Sequence, residues 1–170
     1  SRMYFFLVAF IGGIAGTFVM DRGARRFALN GFNDALGGLL GRWVVGFKDF
    51  NWVIDGHREL QIEETNYEKR IGSYFHYLIG GGCVALLYPL FFLLTGLTHP
   101  ENHIFGGIVF GFFSVSLTWF LQYPCFGFGF FGKNAPLGSK TIIPPLILHT
   151  LYGLIVGIVI QYAMEYEVGY

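Results

Sequence analysis

Charge is what this chain has least of. Asp, Glu, Lys and Arg make up 13% of the sequence, against about 25% in an ordinary soluble domain. So little charge cannot cover a globular surface in water. The two signs also balance to a net charge of zero, which argues against nucleic acid as a partner. Cysteine is scarce too. Cys83 sits inside one apolar run and Cys125 just past another. Their expected depths differ, so no disulfide is expected and each reads as a small apolar packing residue. Several chemical signatures are missing as well. GFGFFGKNAP lacks the spacing of a phosphate loop. No Ser-His-Asp, Cys-His or Gly-x-Ser-x-Gly arrangement is visible, and no short-range metal motif such as HExxH occurs.

Long apolar runs are abundant. Residues 3–20, 71–97, 104–122 and 142–164 are each close to or above the roughly 18 residues that span a bilayer as a helix. They show almost none of the 3.6-residue polar periodicity that a soluble helix carries. The expected fold is therefore an all-α membrane protein. It forms one integral-membrane domain over residues 1–170, with four transmembrane helices and a short cytoplasmic interfacial helix. Arg22, Arg25 and Arg26 follow the first run directly, as a stop-transfer flank does and a cleaved signal does not.

Residues 21–70 form the one long polar segment, with eight of the eleven Lys and Arg residues. Within it, Asn33 to Phe47 alternates small, apolar and basic residues. It reads as a helix on the membrane surface, with Trp43 at headgroup level and Arg42 toward phosphates. Thr65-x-x-Glu68 spells a capping box, which starts the second helix in water. Pro89 is expected to kink that helix past its midpoint. Cys125 to Lys140, rich in glycine and aromatics, reads as a loop packed on the bundle or re-entrant at the interface. Pro144 and Pro145 suit the first turn of the last helix. By the positive-inside rule, loops 21–70 and 123–141 face the cytoplasm and both termini lie outside.

A short internal repeat suggests two similar hairpin halves. Gly12–Ile14 and Gly106–Ile108 share Gly-Gly-Ile, and His76 and His149 share His-x-x-x-Gly. Glycine pairs four apart let helices approach closely. They serve either packing within the bundle or a homodimer in the bilayer.

Depth singles out one level. Asp21 and Gln122 end the first and third runs on the expected cytoplasmic side. His76 and His149 each lie five residues into their helices, about 7–8 Å at 1.5 Å per residue. Glu68 lies two turns below His76 on the same face, Tyr77 is its neighbour, and Asn134 can fold back from the last loop. Ionisable groups at membrane depth usually face the bundle interior and mark function. A single histidine there reads first as a satisfied packing residue, and Asp21 as a helix-end cap or a partner of Arg25. Two matched histidines with two carboxylates read as a ligand-binding pocket of Asp21, Glu68, His76, Tyr77, Gln122, Asn134 and His149. It would bind or transport a small solute, a lipid headgroup or a proton. Two alternatives stand beside this. One is an enzyme or redox protein holding a metal on His76, His149 and Asp21, or a haem between the two histidines. The other is a structural subunit without chemistry. His99 and His103, flanking Pro100-Glu101-Asn102, read as a polar turn.

The series GTFVMD (Gly16–Asp21), GRW (Gly41–Trp43), E-x3-G-x3-HY (Glu68–Tyr77), YPCFGFG (Tyr123–Gly129), NAP (Asn134–Pro136) and H-x3-G (His149–Gly153) covers nearly the whole chain in order. It resembles a family of small bacterial membrane proteins known as domain of unknown function two-nine-three-eight. Where that family reads Gln-Pro, this chain has Tyr123-Pro124 with Gln122 one place earlier. The resemblance implies a four-helix bacterial inner-membrane protein without an established activity.

Overall fold

The structure is a computed structural model that describes residues 1–26, 30–136 and 138–168, with side chains described outside 30–37, 139 and 167–168. Leu137 of the last loop and the side chains of 33–37 in the expected surface helix lie outside these residues. Every regular element among the described residues is helical. Four helices are long and apolar enough to cross a membrane: Arg2–Arg26, Asn66–Thr95, His103–Cys125 and Ile143–Tyr166.

The first is α1, Arg2–Arg26. It runs past the expected end at Asp21 because Arg22, Arg25 and Arg26 continue it and suit the negative end of its dipole. Asp21 is thus inside the helix, not its cap. Next comes α2, Asn30–Val45, then a 3-10 turn over Gly46–Asp49 and the single turn α3, Gly56–Glu59. The second membrane helix has three parts. α4, Asn66–Tyr74, opens on the capping box, with both the Thr65 and Glu68 side chains engaged. A π-helical stretch, Phe75–Cys83, follows. α5, Leu87–Thr95, completes it. The ladder breaks at Leu86, where Leu86 N–H bonds Cys83 C=O and regular bonding resumes at Leu90. Pro89 is the cause, since it has no N–H for the carbonyl four residues back.

The third membrane helix is α6, His103–Leu117, continued through a π segment, Thr118–Gln122, to α7, Tyr123–Cys125. The last is α8, Ile143–Val168, with Pro144 and Pro145 in its first turn. Neither π segment was expected from the sequence. A π turn accommodates one extra residue, and such turns recur at functional sites.

The bundle is held by close backbone approach. A Cβ on Gly107 would strike the Gly153 carbonyl and the Gly157 backbone, and one on Gly111 would strike the His149 carbonyl. A Cβ on Gly13 would strike the Gly81 carbonyl, while Gly12 and Gly16 lie against Val156 and Tyr152. In lipid, where apolar side chains gain nothing by leaving solvent, such contact is the main adhesive. The glycine pairs are therefore occupied within the chain. Thr17 donates to Gly13 C=O at 2.9 Å and Tyr152 to Gly81 C=O. Around these contacts lies a core of Phe5, Val8, Ala9, Ala85, Tyr88, Tyr152, Val156 and Ile160. Large apolar residues such as Leu7, Phe91, Leu94, Phe105 and Phe113 stay exposed on the outside, as a lipid-facing surface requires.

A second core caps one end of the bundle. Leu39 and Leu40 of α2, Ile54, Tyr123, Phe126, Phe128 and Ala135 are buried together there. The glycine-rich loop is thus folded onto the bundle. Ile54 N–H bonds Cys125 C=O at 2.8 Å and Gly56 N–H bonds Phe126 C=O at 2.9 Å.

Gly153→Val is expected to lower the thermal midpoint in detergent, at a cost of about 3 kcal/mol, because backbone on the facing helix cannot move aside. Gly80→Ala is the control: a Cβ there would meet nothing closer than 3.8 Å, so the midpoint should hold or rise.

Candidate functional site

At the capped end, the sequence brings a carboxylate, a histidine and a tyrosine together. Asp21 lies near the end of α1, and His76 and Tyr77 lie at the start of the π stretch. His76 Nε2 is 2.9 Å from Asp21 Oδ1. The Tyr77 hydroxyl donates to Asp21 Oδ2 at 2.9 Å. Successive residues on an α-helix do not face one target; here they straddle a single carboxylate, one on each oxygen. The widened π turn narrows the angle between them. Their rings meet edge to face, with centroids 5.5 Å apart.

An ionised carboxylate only accepts hydrogen bonds, so His76 must donate from Nε2. Its other nitrogen, Nδ1, then carries a lone pair that no described residue engages. The side chain is 33% exposed, and that of Asp21 19%. The pair is shielded from bulk water but reachable. Arg22 and Arg25 are close enough for their charges to act on Tyr77. Arg22 also lies over the Phe18 ring, 4.2 Å from its centroid.

His149 is arranged differently. Its Nδ1 is 3.0 Å from Ser114 Oγ and its Nε2 3.1 Å from Thr118 Oγ1. Ser114 spends its proton on Gly111 C=O at 2.7 Å. The ring must therefore donate from Nδ1 to Ser114 and accept at Nε2 from Thr118. This is a neutral histidine with both nitrogens satisfied. It lies near enough to His76 for a charge on one to act on the other.

The two halves of the chain are thus similar in plan and unlike in chemistry. Each histidine is tied to the preceding membrane helix: His76 to a carboxylate on α1, His149 to hydroxyls on α6 and on the π segment that continues it. Gly13 meets Gly81 in the first half as Gly107 meets Gly153 in the second. From His76 to Gly81 is one residue further than from His149 to Gly153, which is the extra residue a π turn takes up.

No hydrogen bond joins the remaining expected site residues to Asp21 or His76 among the described residues. Glu68 does not face His76. Its carboxylate accepts from Thr65 N–H at 2.8 Å and from Arg42 Nε and Nη2, each at 3.2 Å. Arg42 is turned inward, not toward phosphates. It also reaches Glu59, 3.3 Å away, and the Glu59 carbonyl at 2.8 Å. Glu68 first, and Glu59 with it, raise the Arg42 pKa further, so the guanidinium stays charged. Trp43 packs on Phe47, Phe75 and Phe126 and donates to Trp52 C=O at 2.8 Å. Gln122 is the last residue of the second π segment, where its carbonyl accepts from Phe126 N–H. Asn134 stays in the last loop, beside Gly129.

Among the described residues, no three His, Cys, Asp or Glu side chains gather as metal ligands would. His76 and Asp21 meet, but His149 has no nitrogen to spare for a metal or a haem iron. Ser114 and Thr118, spaced four apart, were the sequence signal for this partnership. Both were visible only as polar residues in an apolar helix.

Fold and site together define a multi-pass helical membrane protein with a paired carboxylate and histidine at one end of its bundle. The chain belongs to the family described as protein of unknown function (DUF2938), whose model matches residues 10–162. No curated protein and no solved structure matches it.

Histidine 15N spectra of labelled protein in nanodiscs should show a neutral Nδ1–H ring that Thr118→Val perturbs. That substitution is expected to cost about 1 kcal/mol in thermal unfolding, the worth of one hydrogen bond. An unaltered spectrum in the variant would refute the pairing with Thr118.

Proposed function

We propose that this is a bacterial inner-membrane protein that conducts protons, with Asp21 and His76 as the entry site at the cytoplasmic edge. The observation that carries this reading is the His76 Nδ1, which no described residue engages, beside the Nε2–Asp21 hydrogen bond. A proton arriving at Nδ1 lets the ring hand its Nε2 proton to Asp21 Oδ1, so the imidazole carries one proton from one nitrogen to the other. Tyr77 holds the second carboxylate oxygen and fixes the orientation of the first.

A proton needs no wide channel, only a succession of hydroxyl and imidazole groups. The bundle interior contains such groups. Thr17, Ser114, Thr118 and His103 are buried. The rings of His149 and Tyr152 lie 6.5 Å apart, and the Tyr88 hydroxyl lies 3.0 Å from His103 Nδ1. These run from the Asp21 end toward the opposite one, where Gln161 accepts from His103 N–H at 2.7 Å.

Vesicles containing the protein and a trapped pH dye, given a valinomycin potassium potential, should acidify faster than empty vesicles. Asp21→Asn and His76→Ala should each return the rate to the empty-vesicle level. Wild-type vesicles no faster than empty ones would sink the proposal, and so would an Asp21→Asn variant that conducts like wild type.

The orientation belongs to the same proposal. The excess of Lys and Arg in loops 21–70 and 123–141 supports a cytoplasmic position for the capped end. A C-terminal alkaline phosphatase fusion should then be active in bacteria and a C-terminal green fluorescent protein fusion dark. The reverse pattern would invert the topology.

A further inference from the structure

The turn after α2 presents bulky apolar side chains outward on a rigid frame. Phe50 is 81% exposed, Trp52 54% and Val53 59%. The frame is fixed at several points. Asn51 N–H bonds Gly46 C=O at 3.0 Å and Phe50 N–H bonds Phe47 C=O at 3.1 Å. Trp43 holds the Trp52 carbonyl, and Ile54 is bonded to Cys125. Phe50 itself adopts a left-handed backbone, φ 56° and ψ 27°, a region that bulky residues rarely enter. That conformation reverses the chain and turns the ring away from the protein. In water, three large apolar groups held in this way would have no covering.

The position of the turn identifies the covering. The Phe47 ring packs on Phe75 with centroids 6.4 Å apart, and the Trp43 ring does so at 5.8 Å. Phe75 is the first residue of the π stretch and the tenth of the second membrane helix, near the start of its apolar run 71–97. Ile54 is tied to Cys125, the last residue of the third. The turn therefore lies beside the end of the third membrane helix and the start of the apolar run of the second. Ile79, one turn beyond Phe75, and Leu78 are exposed on the same helix, so the patch runs on into a lipid-facing surface. Lys48, also exposed, adds a cation suited to lipid phosphates.

We infer that the turn 46–53 is an interfacial anchor, with Phe50, Trp52 and Val53 seated at the boundary between headgroups and acyl chains beside the second membrane helix. Aromatic side chains favour that zone because their rings tolerate both its apolar and its polar side. The anchor takes the role that sequence reasoning assigned to Arg42 and Trp43, which are turned into the protein.

The test uses the full chain in phosphatidylethanolamine–phosphatidylglycerol vesicles that contain phospholipid brominated either near the glycerol or near the chain end. Bromine near the glycerol should quench part of the tryptophan emission, and Trp52→Phe should remove that part. Phe50→Asp, an exposed change that leaves the fold intact, should reduce the same quenching by expelling the turn from the interface. Quenching by shallow bromine that Trp52→Phe leaves unchanged would overturn the assignment. So would a wild-type dimer in nanodiscs that Phe50→Asp converts to monomer, because the patch would then be covered by a second copy of the chain.

Discussion

The contact of α1 with the second membrane helix, backbone on backbone at Gly13 and Gly81, is the constraint on which the candidate site depends. In lipid no hydrophobic force presses helices together, so their separation is set by how closely backbones approach. Glycine at both positions allows the shortest approach. With the two helices pinned there, Asp21 lies two turns along α1 from the contact. His76 lies one π turn along its own helix in the same direction. The carboxylate and the ring meet because both distances are measured from one fixed point. Tyr152 of α8 donates to the Gly81 carbonyl at this contact, which ties the second membrane helix to the last, while Thr17 bonds back within α1 to Gly13 C=O.

The second half of the chain applies the same construction with different end groups. Gly107 and Gly111 fit against Gly153 and Gly157, and His149 is tied to α6. Ser114 and Thr118 replace the carboxylate, and the result is a neutral, fully satisfied ring. One half therefore keeps an imidazole nitrogen that no described residue engages, and the other satisfies both nitrogens of its ring. That asymmetry, within a repeated plan, gives the Asp21 end its chemical character. The cap of Leu39, Leu40, Phe126 and Phe128 sits over this end and leaves His76 partly reachable.

The long polar segment, residues 21–70, separates what charge does in water from what it does beside the apolar helices. Arg42 satisfies two carboxylates from different parts of the segment, Glu59 and Glu68. It thereby gathers α2, α3 and the start of α4 into one unit. The outward aromatic turn is a product of that gathering. Once α2 is fixed against Phe75, the following residues must reverse direction, and the left-handed Phe50 does so.

The four membrane helices were legible in the sequence, because a bilayer demands about 20 apolar residues in a row and nothing else in the chain looks like that. The capping box at Thr65, the break before Pro89 and the folded-back loop after Cys125 were legible too, since each rests on local chemistry. The level shared by Asp21, His76 and His149 followed from counting residues into each helix. What counting could not decide was partnership. Glu68 has the right spacing for His76, yet it bonds Arg42, which is remote in sequence. His149 matches His76 in motif, yet it faces hydroxyls and not a carboxylate. Helix azimuth is set by packing and by π turns, and neither has a signature in an apolar run. Run length and composition alone mark the four apolar helices and the ionisable groups that each carries. Only the tertiary structure decided which of them meet, because that depends on how each helix is rotated about its axis, and glycine contacts between distant segments set that rotation.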